Sequence, residues 1–166
     1  RNFAASDDEW TAPIYAEVGP DGALWMVDWY NYIIQHNPTP IGFDTGKGNA
    51  YDTPLRDKTH GRIYRITHKS APLGSGPEGG LSIAETSGKS LVASLSNDNL
   101  LWRLHAQRLL VERGRWDVTD DLHALVRDES VDTLGLNPAA IHALWSLQGL
   151  GLLDGSHPDS TDIAVN

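Results

Sequence analysis

The stretch AEVGPDGALWMVDWY, Ala16 to Tyr30, decides the fold that we predict for the first half of the chain. At its centre, Pro20-Asp21-Gly22 is a turn sequence, because proline presets φ, aspartate bonds back to the backbone and glycine accepts a positive φ. This turn predicts a hairpin of two strands, Pro13 to Val18 and Ala23 to Asp28. The second strand is apolar on both of its faces, so both faces need to be covered.

A third strand is predicted some thirty residues later, where HGRIYRI occupies His60 to Ile66 and the strand itself begins at Gly61. Three short strands that need a neighbour on either side are typical of one blade of a β-propeller. We therefore predict an α+β chain, in which a three-stranded antiparallel, propeller-like blade is followed by helices.

Composition and charge narrow the function classes. The chain has 166 residues, a formal net charge of −9 and no cysteine. An acidic balance argues against a nucleic-acid partner, which requires a basic surface. Without cysteine, these residues form no disulfide, thiolate metal site or C-x-x-C-H haem attachment. No apolar run is long enough to cross a bilayer, so we predict no membrane-spanning segment. Because the chain begins at Arg1 and its only methionine is Met26, we expect it to be part of a longer or processed protein.

Two motifs in the predicted blade carry a resemblance to a known family. D-G-x-L-W-x-x-D at Asp21 to Asp28 and G-R-I-Y-R at Gly61 to Arg65 resemble a late blade of the six-bladed glucose/sorbosone dehydrogenase-like propellers. The run from Asp28 to Ile66 is similar to the propeller end of large bacterial proteins named as membrane-bound dehydrogenases. In those proteins a helical-repeat region follows, often with a c-type haem domain after it. The resemblance covers nearly the whole chain.

The resemblance implies an oxidoreductase that oxidises a sugar or alcohol with bound pyrroloquinoline quinone and Ca²⁺, in a periplasmic or cell-envelope-associated protein. A base takes the hydroxyl proton, Ca²⁺ polarises the quinone and arginines pair with its carboxylates. The residues expected to contribute are His36, His60 and Asp28 for catalysis, Arg56, Arg62, Asn49 and Tyr51 for binding the cofactor, and Asp28 for the metal. The rest of the site is expected from other blades, so this chain would be incomplete as an enzyme on its own.

Each of these residues also has an ordinary structural interpretation. Asp28 ends the second strand and can close the following loop by accepting backbone N–H bonds. His36 and His60 lack the spacing of helical metal ligands and can be hydrogen-bonded loop residues. The loop that holds most of them, Trp29 to Thr59, is long and irregular, as functional loops, lids and interfaces are. The acidic cluster Asp7-Asp8-Glu9 is predicted to be a solvated loop.

A change of composition at SAPLGSGPEGG, Ser70 to Gly80, predicts a domain boundary. We predict a blade over residues 1–69, a linker over 70–85, a helical region over 86–153 and a mobile tail over 154–166. The predicted helices are Lys89 to Leu95, Asp98 to Arg113, Val118 to Arg127 and Pro138 to Gly149. Their predicted caps are Ser96 or Asn97 for the second helix and Asp117 or Thr119 for the third.

The helical region contains an internal repeat. Leu104-His105-Ala106 with Leu110 and Gly114 corresponds, at a constant offset, to Ile141-His142-Ala143 with Leu147 and Gly151. Paired helices that repeat at about forty residues predict a HEAT-type repeat region. Repetition explains the paired histidines His105 and His142 better than a metal or haem site does, and Trp102 and Trp145 are predicted to pack within the repeats.

Three functions are compatible with this organisation. The first is a fragment of a quinone-dependent dehydrogenase, and the second is a HEAT-repeat scaffold that binds another protein, such as the haem domain. The third is a calcium-dependent propeller lactonase or hydrolase, which shares the architecture. A blade by itself exposes two apolar faces and two sheet edges, so we expect the remaining blades or another copy of the chain as a partner.

Overall fold

Three strands and four helices form the regular structure in the computed structural model, which describes residues 2–32, 41–42, 44–45, 53–55, 59–70, 85–157, 159–160 and 162. The strands are β1 (Pro13–Val18), β2 (Leu24–Asp28) and β3 (Arg62–Ile66), and the helices are α1 (Gly88–Ser94), α2 (Leu100–Arg113), α3 (Thr119–Arg127) and α4 (Pro138–Gly149). The chain divides into two compact units, of which one holds the sheet and the other holds the helices. The predicted α+β class is therefore confirmed.

The sheet is antiparallel in the order β1-β2-β3. The predicted turn joins β1 to β2, with Gly22 at φ +76° and the N–H of Gly19 donating to the carbonyl of Ala23 at 2.9 Å. The bounds of β1 are as predicted, whereas β2 and β3 each begin one residue later than predicted. A bulge between Pro13 and Tyr15 shifts the register at the start of β1, which increases its local twist.

The two faces of the sheet differ in exposure. Tyr15, Val27 and Ile63 are paired across the three strands, so they share one face. Their exposed fractions are 59%, 37% and 67%, and we call these three residues the apolar row. On the opposite face, Met26 and Tyr64 line a cavity of about 360 Å³ together with residues of the N-terminal segment, among them Ala4, Ser6 and Thr11. The segment before β1 therefore partly covers this face.

Side-chain caps begin three of the four helices. Ser87 caps α1, Asn99 caps α2 and Asn137 caps α4, each by accepting a backbone N–H of the first turn. The predicted cap of α2 at Ser96 or Asn97 is wrong, because Asn97 accepts the N–H of Asn99 and shapes the preceding turn instead.

Helix α3 begins without a side-chain cap, with Val118 at the capping position. The prediction of Asp117 or Thr119 is therefore wrong. Asp117 is bound to Arg113 at 2.9 Å, and the hydroxyl of Thr119 donates to the carbonyl of Trp116 at 2.8 Å. The predicted carboxylates Asp120 and Asp121 do lie in the first turn, where the helix dipole favours them.

The core of the helical unit is aliphatic and is drawn from all four helices, with Leu91, Leu110, Leu122 and Leu147 fully buried. α2 packs against α1 and α4, and α3 packs against α4. Within the described residues, no helix has the length and apolar character needed to cross a membrane.

The internal repeat is reproduced in the environments of equivalent residues. Ala106 and Ala143 are both fully buried, as are their repeat partners Leu110 and Leu147. Leu104 and Ile141 are both about half exposed. The glycine that ends each segment has a positive φ, +59° at Gly114 and +75° at Gly151, and its N–H bonds to the equivalent carbonyl in both cases, Val111 or Gln148.

Candidate functional site

Asp28 is the buried carboxylate at the end of β2, with an exposed fraction of 1%. Its Oδ1 accepts the N–H of Ala12 and the N–H of Tyr30, both at 2.7 Å. The N–H of Trp29 donates to the carbonyl of Ala12 at 3.0 Å, which joins the same two segments. Asp28 therefore fixes the start of the loop that follows β2, in agreement with its structural interpretation as an acceptor of backbone N–H bonds. Its Oδ2 is buried and has no hydrogen-bond partner among the described residues.

Tyr30 adopts a left-handed backbone conformation, with φ +55°, which residues other than glycine rarely adopt. Such a conformation persists only where the surroundings hold it, and here the Asp28 carboxylate fixes the N–H of Tyr30. The tyrosine ring is held as well: the guanidinium carbon of Arg62 lies 3.4 Å from its centroid. Trp10 lies beside it, with ring centroids 6.0 Å apart. Backbone strain and ring contacts thus meet at one residue.

Arg62 is paired with Asp28 in the register of β2 and β3, but its guanidinium group contacts other residues. Its Nη1 lies 3.3 Å from Asp8 Oδ2 and 3.3 Å from the hydroxyl oxygen of Tyr64. The hydrogen bond with Tyr64 is the main reason why the pKa of Arg62 is raised above its ordinary value. The guanidinium therefore stays charged and is engaged by protein groups on several sides.

Together these residues form a cluster at one end of the sheet, which we call the Asp28 corner; it comprises Asp8, Trp10, Asp28, Tyr30, Tyr32, Arg62 and Tyr64. The half-exposed ring of Tyr32 lies 6.1 Å from the ring of Trp10 and brings the cluster to the surface. The corner thus combines an arginine, a buried carboxylate and four aromatic rings, of which only that of Tyr32 belongs to an exposed residue. In the part of the chain that the structure describes, no group of three or more His, Asp and Glu side chains could hold a metal ion.

The structure brings two of the predicted site residues together, Asp28 and Arg62. His60 lies just before β3, is exposed, and has its Nδ1 3.0 Å from the hydroxyl of Thr59. The other four, His36, Asn49, Tyr51 and Arg56, lie outside the described residues.

Sequence reasoning missed the contribution of Asp8 and Trp10. Asp8 does not belong to a merely solvated loop, because it pairs with Arg62 and also accepts the N–H of Trp10 at 3.0 Å. No local pattern indicates an ion pair between residues so far apart in the sequence. The nearest signal is an acidic side chain two residues before a tryptophan, and it is too common to have pointed to this contact.

The repeated histidines are bonded to protein side chains. His142 is buried, and its Nδ1 lies 2.7 Å from Oε1 of Gln107, so the pair joins α4 to α2. Its pKa is lowered first by burial and then by the charge of Arg103. Nδ1 of His105 lies 3.0 Å from Nη2 of Arg108. These contacts agree with a packing role for the repeated position.

Residues 1–70 match the model of a family described as a domain of unknown function, DUF7133. Neither the curated proteins nor the solved structures contain a match to the chain. The matched residues contain the three strands and the whole Asp28 corner.

Proposed function

We propose that the first unit is the last blade of a β-propeller in a quinone-dependent sugar or alcohol dehydrogenase. In this proposal the chain supplies the end of that propeller together with a HEAT-type helical region. The apolar row carries the blade part of the proposal, because Tyr15, Val27 and Ile63 present exposed side chains across all three strands. Adjacent sheets cover such a face by packing about 10 Å apart.

The free energy of covering this row is substantial for one small sheet. Full burial of a large apolar side chain contributes about 1.5–3 kcal/mol, so completing the burial of three half-exposed ones would contribute on the order of 3 kcal/mol. The antiparallel order β1-β2-β3 is compatible with three of the four strands of a propeller blade. A neighbouring blade is therefore the partner that suits this surface.

The dehydrogenase part of the proposal is supported by the two motifs that resemble the glucose/sorbosone dehydrogenase-like propellers. The first motif spans the β1–β2 turn and ends at the buried Asp28, and the second spans nearly all of β3. Pyrroloquinoline quinone, when bound, would accept the hydride of the substrate. The protein would belong to the periplasm or cell envelope, as the resemblance implies.

The described residues do not by themselves fit the metal and cofactor of such an enzyme. Ca²⁺ takes six to eight oxygen ligands, whereas the Asp28 corner offers one unpartnered carboxylate oxygen, Oδ2 of Asp28. Arg62 is already engaged with Tyr30, Tyr64 and Asp8. We therefore assign no step of the reaction to this chain, and its proposed share is to complete the propeller and to fix the start of the loop after β2.

Reconstitution of the longer protein with pyrroloquinoline quinone and Ca²⁺ tests the proposal. Reduction of a redox dye by a panel of sugars and alcohols should depend on the added quinone. Calcium-dependent lactone hydrolysis without dye reduction would support the lactonase alternative instead, and the absence of both activities would contradict an enzymatic role.

A pair of variants tests the proposed blade independently of the helical unit. Ile63→Lys places a charge in the apolar row and should reduce the yield of folded longer protein. Val131→Lys changes an equally exposed side chain of the helical unit and should leave that yield unchanged. Equal yields from the two variants would contradict the blade.

A second candidate function, a protein-interaction scaffold, is favoured by the matching burial of the equivalent pairs Ala106 and Ala143, and Leu110 and Leu147, in α2 and α4. Arrays of this kind present extended surfaces to other proteins. Capture of a partner by the helical unit, together with the absence of dye reduction, would favour this candidate over the first.

A further inference from the structure

Helix α4 is exposed on one side and yet carries no charged side chain. Its sequence is PAAIHALWSLQG, and its buried side consists of His142, Ala143, Ser146 and Leu147. On its other side, Ile141 and Trp145 are 45% and 61% exposed, so the prediction that Trp145 packs within the repeats is wrong. A surface helix normally places charged and polar residues on the face away from the core. The outer face of α4 is therefore unusual for a solvated helix.

The internal repeat provides a comparison within the same chain. Ile141 corresponds to Leu104 of α2, and both are about half exposed. At the same offset, Trp145 corresponds to Arg108 and Gly149 corresponds to Glu112. In α2 these two positions form an ion pair, with Arg108 Nη1 3.5 Å from Glu112 Oε1. The same surface is thus charged on one helix and uncharged on its counterpart.

We propose that the outer face of α4 pairs with the same face of a second copy of the chain. The formal net charge of −9 makes two copies repel each other over most of their surfaces. The uncharged face of α4 can meet its own copy without like-charge repulsion. This proposal rests on the helical unit alone, and it holds whether or not the first unit is a propeller blade.

The spacing of the two exposed residues makes this face self-complementary. Ile141 and Trp145 are four residues apart, so they lie one above the other on the helix. Two copies of α4 that cross antiparallel about a two-fold axis would each place Trp145 against Ile141 of the other copy. An interface of this isologous kind requires such reciprocity. Tryptophan at its centre is the residue type that most often dominates binding energy.

The size of the face sets the expected strength of the dimer. A helix of twelve residues is about 18 Å long, and its outer face is smaller than the roughly 800 Å² per partner of a standard interface. We therefore expect a weak, reversible dimer rather than a permanent one. Its population should rise with concentration.

Sedimentation velocity on the whole chain over a wide concentration range tests the pairing. The unsubstituted chain should shift from monomer to dimer as the concentration rises. Trp145→Arg introduces the residue type that α2 carries at the equivalent position, and it should raise the dissociation constant at least about tenfold, which corresponds to 1.4 kcal/mol. Leu134→Arg, at an exposed site between α3 and α4, is the matched control and should leave the dimer unchanged.

Mixing two charged variants distinguishes the pairing from a folding defect. Trp145→Arg and Ile141→Glu should each be monomeric, with unchanged helical circular dichroism. Their equimolar mixture should regain association, because the mixed pair sets the two introduced charges against each other and keeps one contact between Trp145 and Ile141. A chain that is monomeric at every concentration would overturn the proposal. So would a dimer that resists Trp145→Arg and is dissociated by Ile63→Lys, because the apolar row of the sheet would then be the interface.

Discussion

One carboxylate oxygen holds two segments of the first unit together. Oδ1 of Asp28 accepts one N–H from Ala12, before β1, and another from Tyr30, after β2. Both hydrogen bonds are short, and the carboxylate is buried, so water cannot readily replace the acceptor. The conformation of Tyr30, and through it the position of its ring beside Arg62, depends on this oxygen.

Removal of the acceptor should destabilise the corner measurably. In Asp28→Ala two donors lose their partner, and an unsatisfied buried donor costs about 1–3 kcal/mol. Because the bond from Ala12 is buried and that from Tyr30 only partly so, we expect a loss of about 2–4 kcal/mol. Hydrogen exchange of the Ala12 and Tyr30 amides should accelerate accordingly. Asp28→Asn keeps an oxygen at Oδ1 and should retain most of the protection. Equal exchange in the two variants would show that the charge, rather than the hydrogen bonds, holds the corner.

The role of a single residue can be predicted from the sequence only where its bonding partner is close to it in the chain. The bond from the N–H of Tyr30 to Asp28 could be anticipated, because Tyr30 is two residues away and aspartate commonly accepts a nearby N–H. The contacts of Arg62 with Asp8 and Tyr30 could not, since they depend on which strand β3 pairs with and on how the N-terminal segment lies over the sheet.

The contact between α2 and α4 contains a group that should make stability depend on pH. Burial and the charge of Arg103 lower the pKa of His142 in the folded chain, so the folded state prefers the neutral ring. The unfolded chain binds the proton first as the pH falls below the ordinary histidine value of about 6.5. The free energy of unfolding should therefore decrease from pH 7 downward, until the pH passes the lowered pKa.

Urea unfolding followed by circular dichroism at several pH values measures this effect. His142→Gln keeps a polar side chain near Gln107 but cannot titrate, so its unfolding free energy should fall less between pH 7 and pH 5. An identical pH dependence in the variant and the unsubstituted chain would assign the effect to other groups.

The ends of the two equivalent segments should respond alike to substitution. Gly114 and Gly151 both have a positive φ, and a Cβ at either position would meet open space. Because only the backbone conformation opposes a side chain, Gly114→Ala and Gly151→Ala should each cost about 1 kcal/mol. Thermal unfolding of the two variants compares these costs. A large difference between them would contradict the equivalence of the repeats.

The bounds of strands and helices could be predicted where a strong local sequence signal marks the end of the element. The Pro20-Asp21-Gly22 turn and Pro138 at the start of α4 gave strand and helix bounds within one residue. The start of α2 was placed two residues early, because Ser96, Asn97 and Asn99 are all suitable caps in sequence. Only the three-dimensional course of the turn shows that Asn97 bonds within it and that Asn99 caps the helix.

At the scale of the whole molecule, the apolar row distinguishes a blade from an independent sheet. The side chain of Tyr15 is accessible in this chain, and it should become protected once a neighbouring blade covers the row. Hydroxyl-radical footprinting of the chain alone and of the longer protein should show lower labelling of Tyr15 in the longer protein. Trp116, which is similarly exposed in the helical unit, is the internal reference. Equal labelling of Tyr15 in both proteins would contradict a blade.

The order of the strands has a practical consequence for producing the protein. β1 and β3 each pair on one side only within the described sheet, so their other sides present backbone donors and acceptors to any passing chain. Such edges promote aggregation when chains are made quickly and at high concentration. Recombinant synthesis of this chain should therefore yield more inclusion bodies at high temperature and strong induction. Co-production with the blade that we propose as its neighbour should bring it into the soluble fraction.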